Sequence, residues 1–230
     1  MMRQQMRSFG QKTRLVLSAG AAAILIAFTQ PARAETILDI EPAPELAPGQ
    51  AWASVAEMLM VYYDVPNTGP GEMQCSLAFY LTGTQNCYKA PEESEFSAVS
   101  RVVKGYSQFA YETFGELPVA MRWEEAKTIQ PADIIQEIKF ERPVLVQIEP
   151  VPNEGESNVE KRAVLIVGFD GNPENLQLIL NDPKVYQPTQ NPYLEFGGRI
   201  RDNSGQYQIG YADFLSFLKW SATLYKIKPD

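Results

Sequence analysis

Histidine is absent from all 230 residues, and only two cysteines are present. The first absence removes the side chain that normally serves as general base near neutral pH. It excludes a Cys–His or Ser–His catalytic pair outright. The second limits the chain to one intramolecular disulfide. Basic side chains are also scarce. There are 20 Lys+Arg against 28 Asp+Glu, and five of the basic residues fall in the first 34 positions. From Glu35 onward 15 basic residues face 28 acidic ones, a net charge of −13. Such a chain repels phosphate backbones, so no nucleic-acid partner is expected. Solubility in the cell envelope, or a basic partner, fits better. Repeats, low-complexity tracts and a second domain are missing as well.

What is present begins with a secretory signal. Arg3, Arg7, Lys12 and Arg14 form a basic start, Leu15 to Phe28 an apolar run, and Ala32-Arg33-Ala34 a small-x-small cleavage site. The apolar run has 14 residues, short of the roughly 20 that a membrane helix needs. The alternative is an uncleaved anchor, which Gln30-Pro31 after the run disfavours. Residues 1–34 are therefore expected to be a signal peptide, cleaved after Ala34. A secreted or periplasmic product of 196 residues, 35–230, remains as one domain without a stable membrane span. In that oxidising compartment Cys75 and Cys87 are expected to form a disulfide worth about 3 kcal/mol. A reactive thiol is the alternative, but no base is at hand to activate it. No metal and no cofactor is expected.

Glu35 to Pro48 is an acidic, proline-rich lead-in that should run extended. Gly49–Asp64 reads as a helix entered through Pro48-Gly49, with Val55, Leu59 and Tyr62 on one face and Met58 and Tyr63 flanking it. Trp52 in its first turn and the aromatic pair at its end mark it as a buried central helix. After a loop at Pro66–Gly71, Gln74–Leu81 is a short helix ended by Gly83. Glu92–Phe114 is a long amphipathic helix with Phe96, Val99, Val103, Tyr106, Ala110 and Phe114 as its core stripe. Trp123, Glu124 and Glu125 read as a connector. Pro131 opens a fourth helix with Ile134, Ile135 and Ile138 inward. The pattern then changes to strands: Arg142–Ile148, Ala163–Asp170, Leu176–Leu180, Gln206–Gly210 and Thr223–Ile227, with a polar loop at Pro150–Glu160 and a short helix at Ala212–Leu218. Helices first and an antiparallel sheet second is an α+β order.

The helix that opens Gln50-Ala51-Trp52-Ala53 and runs on to Glu57-Met58 and Tyr62-Tyr63 resembles the central helix of papain-like cysteine peptidases. The bacterial branch that processes bacteriocin leaders is the nearest match. Gln-Cys-Ser-Leu-Ala at 74–78 is similar to a further element of that branch, and Cys75–Cys87 would be its structural bridge. The resemblance implies a two-lobed papain-like fold, an N-terminal helical lobe with the central helix and a C-terminal antiparallel β lobe.

It also implies where catalytic groups should stand, and they differ. The nucleophile position is Ala51. The histidine position, at the start of Arg162-Ala163-Val164-Leu165-Ile166-Val167-Gly168-Phe169-Asp170, is Arg162. The glutamine that steadies the oxyanion, six residues before the nucleophile, is Glu45, whose charge has the wrong sign for that role. Gln50 is adjacent to Ala51 and misplaced for it. The orienting residue is retained in Asn181-Asp182-Pro183 as Asp182. A guanidinium stays protonated and cannot act as a base.

The implied protein is a catalytically inactive homologue that binds a peptide or protein in a degenerate cleft, with Gln50, Trp52, Arg162 and Asn181 along it. Arg162 should pair bidentately with Asp182, possession of one partner without the other costing about 3 kcal/mol. The plainer reading makes Arg162 a solvated strand end and Asp182 a turn cap. Two other functions stay open. One is an active hydrolase with another nucleophile, for which Ser54 on the central helix is the candidate. The other is a structural envelope protein whose cleft is filled by its own side chains.

Overall fold

The computed structural model describes residues 35–69, 71–84, 86–89, 91, 93–115, 120–150 and 161–229. The expected signal peptide and most of the 150–160 loop lie outside these. The described residues form one compact unit.

The lead-in contributes a two-residue strand, β1 (Thr36–Ile37), before α1 (Ala51–Tyr62). Gly49 at φ 81° makes the turn into α1, and Gln50 stands at its N-cap without a side-chain capping bond. Nine residues from Ala51 to Met60 are buried, Glu57 being the exception. A helix apolar on nearly all sides is stable only inside a core, and packing here substitutes for capping. Helix α2 (Met73–Thr82) stops at Gly83, which takes the left-handed conformation that glycine adopts without strain. Cys75 and Cys87 are joined, with Cα atoms 4.5 Å apart, tying α2 to the loop that follows.

Helix α3 (Glu95–Thr113) starts later than expected, because Ser94 caps it by accepting the Ser97 N–H at 3.3 Å. Its buried stripe includes Val102, while Phe114 lies beyond the last turn and is exposed. The segment expected as a connector is a strand, β2 (Met121–Ala126). Helix α4 (Pro131–Lys139) has proline at its first position and a reciprocal Gln130–Asp133 capping box. Ile135 is only half-buried there. Glu137 takes an inward place instead, its carboxylate 2.8 Å from Arg142 Nε and accepting the Lys226 N–H at 3.0 Å.

The second half supplies β3 (Val144–Ile148), β4 (Arg162–Asp170), β5 (Gln177–Asn181), a 3-10 turn at Pro188–Gln190, α5 (Pro192–Glu195), β6 (Arg199–Ile200), β7 (Gln206–Gly210), α6 (Tyr211–Phe217) and β8 (Ala222–Pro229). They join β2 in a sheet ordered β2-β8-β3-β4-β5-β7-β6, with β1 beside β4, and all pairings are antiparallel. Strand β4 is central and buried along its first eight residues, which is why it reads as one apolar run rather than an alternation. Helices α1, α3 and α4 pack against it. The fold is thus α+β, with four helices mostly ahead of the antiparallel strands and β1 and β2 interleaved among them. Among the described residues no helix is long and apolar enough to cross a membrane.

Candidate functional site

Antiparallel pairing places the start of β4 beside the end of β5, with Leu165 opposite Asn181. This brings Arg162 and Asp182 together. Arg162 Nε donates to Asp182 Oδ2 at 3.0 Å and lies 3.3 Å from Oδ1. Nη2 is also 3.0 Å from Oδ2, an ion-pair contact that lacks hydrogen-bond angles, so Nη2 is left without a hydrogen-bond acceptor among the described residues. The two side chains are 5% and 0% exposed.

The carboxylate has further donors. Tyr193 donates its hydroxyl to Oδ2 at 2.7 Å, Tyr186 reaches the same atom at 3.4 Å, and the Lys184 N–H donates to Oδ1 at 3.0 Å. The Arg162 guanidinium carbon lies 5.1 Å from the Tyr186 ring centre, and Tyr193 stacks on Tyr207 at 4.4 Å. Burial disfavours the arginine's charge, but Asp182, Tyr193 and Glu95 together outweigh it and hold the guanidinium pKa above its ordinary value. Burial, then the neighbouring Asp182 charge, pushes the Tyr193 phenol well up. The group is therefore a closed ion pair under three tyrosines. It offers no base: the guanidinium keeps its proton, and the carboxylate's lone pairs already accept four groups.

The solvated strand-end alternative for Arg162 is corrected by its burial, although Asp182 does cap the turn at Lys184 as that reading expected. Glu45 is half-buried and reaches the same corner through its backbone, donating its N–H to the Pro183 carbonyl at 3.1 Å. Ala51 is the first residue of α1, 2% exposed. Gln50 is buried beside it. Its Nε2 donates to the Cys87 carbonyl, and its Oε1 has no partner among the described residues.

Trp52, Asn181, Gln50 and Arg162 were expected along an open cleft, and all four are buried. Trp52 packs wholly in the core. Asn181 holds the lead-in, donating to the Ile40 carbonyl at 2.9 Å and accepting from Gln206 Nε2 at 3.1 Å. Ser54 is fully buried, its hydroxyl 3.2 Å from Gln74 Oε1 and 3.5 Å from the Gln50 carbonyl. Neither neighbour is a base, so no described residue in contact with Ser54 can activate it. Among the described residues no cluster of three His, Cys, Asp or Glu side chains is arranged to hold a metal.

Two features escaped the sequence reading. The three tyrosines around Asp182 were not singled out, though Tyr186 and Tyr193 follow Asn181-Asp182-Pro183 closely. Gln74 was noted only as part of a motif. It joins three segments: Nε2 donates to the Pro44 carbonyl at 3.1 Å and to Glu57 Oε2 at 2.7 Å, and Oε1 accepts from Ser54.

No protein-family model matches the sequence, and no curated protein matches it. Among solved structures, the chain is similar to one described as a C39-like peptidase from Bacillus anthracis, at 10% identity and a TM-score of 0.44, over 86% of this chain and 100% of that one. It is also similar to a structure from work on the mite allergens Blo t 1 and Der p 1, at 10% identity and a TM-score of 0.45, over 87% of this chain and 73% of that one. Neither likeness assigns a role to a residue.

Proposed function

We propose that this protein is a pseudopeptidase, an inert homologue of papain-like cysteine peptidases that acts outside the cytoplasm by holding a peptide or protein partner. The observation that carries the reading is the buried Arg162–Asp182 pair. In a working thiol peptidase the corresponding carboxylate orients an imidazole that takes the thiol proton. Here a permanent cation occupies the imidazole's place and consumes the carboxylate, while the nucleophile's place holds the Ala51 methyl. Glu45, near the same corner, carries the sign that disfavours an oxyanion. The bridged Cys75–Cys87 pair and the signal-like first 34 residues support export from the cytoplasm.

The test uses residues 35–230 and a fluorogenic peptide library. The wild-type protein should release no fluorophore. In Ala51→Cys/Arg162→His, the new thiol should react with iodoacetamide at about pH 6, well below the range of an unassisted cysteine. Wild-type turnover that disappears in Asp182→Asn or Ser54→Ala would overturn the inert reading. An Ala51→Cys/Arg162→His thiol no more reactive than a free cysteine would overturn the papain-like assignment. For export, intact mass of the protein recovered from the envelope should correspond to a chain beginning at Glu35.

A further inference from the structure

The residues expected to line a peptide cleft are buried, yet an open groove exists elsewhere. It lies between the extended lead-in at residues 39–46, the outward side of α1 and the start of α2, with a volume of about 640 Å³. That falls in the usual range of ligand-sized clefts, roughly 300–1,000 Å³. Neither Ala51, Arg162 nor Asp182 lines it.

Three observations bear on its occupant. First, its apolar part is uncovered: Val61 is 61% exposed and Leu46 40%, leaving apolar surface on which a partner's side chains can be buried. Second, its charge has one sign. Asp39, Glu41, Glu57 and Glu72 contribute carboxylates, and no lysine or arginine is among the described lining residues. Glu57 is half-buried, and among the described residues its carboxylate meets only the neutral amide of Gln74, at 2.7 Å. A carboxylate drawn out of water without a cation is under-compensated, and burial accordingly raises the Glu57 pKa. Third, the walls are fixed in advance. The lead-in is held by Leu38 N–H on the Val167 carbonyl at 2.8 Å, by Asn181 on the Ile40 carbonyl, and by Gln74 on the Pro44 carbonyl. A groove already ordered loses little entropy on binding.

We propose that this groove docks an extended cationic peptide segment in which lysine or arginine alternates with apolar residues. The apolar side chains cover Val61 and Leu46, and one basic side chain compensates Glu57. The proposal rests on the reading that the protein works by binding, and it moves the binding surface away from the degenerate catalytic positions.

The test is fluorescence anisotropy on residues 35–230 with a labelled Lys-Leu-Arg-Leu-Lys peptide and a Glu-Leu-Glu-Leu-Glu control, mass spectrometry following the peptide. The cationic peptide should bind and the control should not. Affinity should fall about tenfold in Glu57→Gln/Glu72→Gln, and fall again in Val61→Ser. These positions are exposed or half-buried, and circular dichroism verifies that each variant is folded. Equal binding of both peptides, no binding of either, or unchanged affinity in the glutamine variant would overturn the proposal, as would a groove closed by a second copy, seen as a dimer in sedimentation. Cleavage of a bound peptide would instead overturn the inert reading while leaving the groove standing.

Discussion

Arg162 and Asp182 are worth more as a pair than either is alone, and the sign of that statement can be measured. Both are buried, so removing the arginine leaves a carboxylate inside the protein with only tyrosine hydroxyls and one N–H for compensation. Arg162→Met should cost about 3 kcal/mol in urea unfolding. Adding Asp182→Asn should return part of that loss, because the uncompensated charge goes with it. A loss of less than about 1 kcal/mol in the single variant would mean the pair behaves like a solvated surface contact. Glu57 works in the opposite direction. Its carboxyl pKa is raised in the folded protein, chiefly by burial. The folded state therefore holds that proton more tightly than the unfolded chain does. The favourable contribution is complete below the unfolded carboxylate range, near pH 4.3, and fades as pH rises through the folded value. At pH 7 the ionised group weakens the fold, so Glu57→Gln should raise the urea midpoint at pH 7 and leave it nearly unchanged at pH 4. A variant less stable than wild type at pH 7 would assign Glu57 a favourable ionised role.

At the scale of elements, β1 shows how far local sequence carries. Two residues, Thr36 and Ile37, lie beside Phe169 and Gly168 of β4, and only glycine permits the approach. A Cβ on Gly168 would meet the Thr36 carbonyl oxygen at 2.6 Å and the Ile37 Cα at 3.0 Å, both backbone atoms. Gly168→Ala should detach the lead-in from the sheet. Amides 36–40 should then exchange hydrogen faster and the segment should become protease-sensitive, with the helices' protection retained. Unchanged exchange there would mean that the two strands separate without loss. The long periodic elements were legible for a physical reason: the buried run of β4 and the 3.6-residue stripe of α3 carry their own pattern. Strand β2 was not, because Met-Arg-Trp-Glu-Glu-Ala becomes a strand only by pairing with β8, about a hundred residues later. The same divide runs through the site. Arg162 and Asp182 were legible because β4 and β5 are adjacent in sequence and bring their ends together. That Trp52, Gln50 and Asn181 are enclosed rather than lining a cleft was not, since it depends on how the whole helical half seats on the sheet. Nor was the tyrosine cover of Asp182, assembled from the loop before the 3-10 turn, α5 and β7.

Over the whole molecule, two electrostatic effects oppose one another, and their ranges decide between them. The chain from Glu35 carries a net charge of −13, so its folded state gathers like charge into a small volume. Against this stand local ion pairs. Arg162–Asp182 is buried and Arg142–Glu137 partly so, and both are in contact, where salt screens them less. Arg101–Glu93 and Lys226–Glu124 are largely exposed, and such pairs contribute about 0–1 kcal/mol each, less in salt. The repulsion is spread over distances that salt does screen, the Debye length falling from about 30 Å at 0.01 M to about 8 Å at 0.15 M. Raising NaCl between those concentrations at pH 7 should therefore increase the urea midpoint of residues 35–230. Since the same screening weakens attraction between the acidic groove and a cationic peptide, stability and peptide affinity should move in opposite directions over one salt titration. A midpoint that falls with salt would show that the exposed pairs outweigh the net repulsion. An affinity that holds while the midpoint rises would show that the peptide is bound by apolar contact with Val61 and Leu46 rather than by charge.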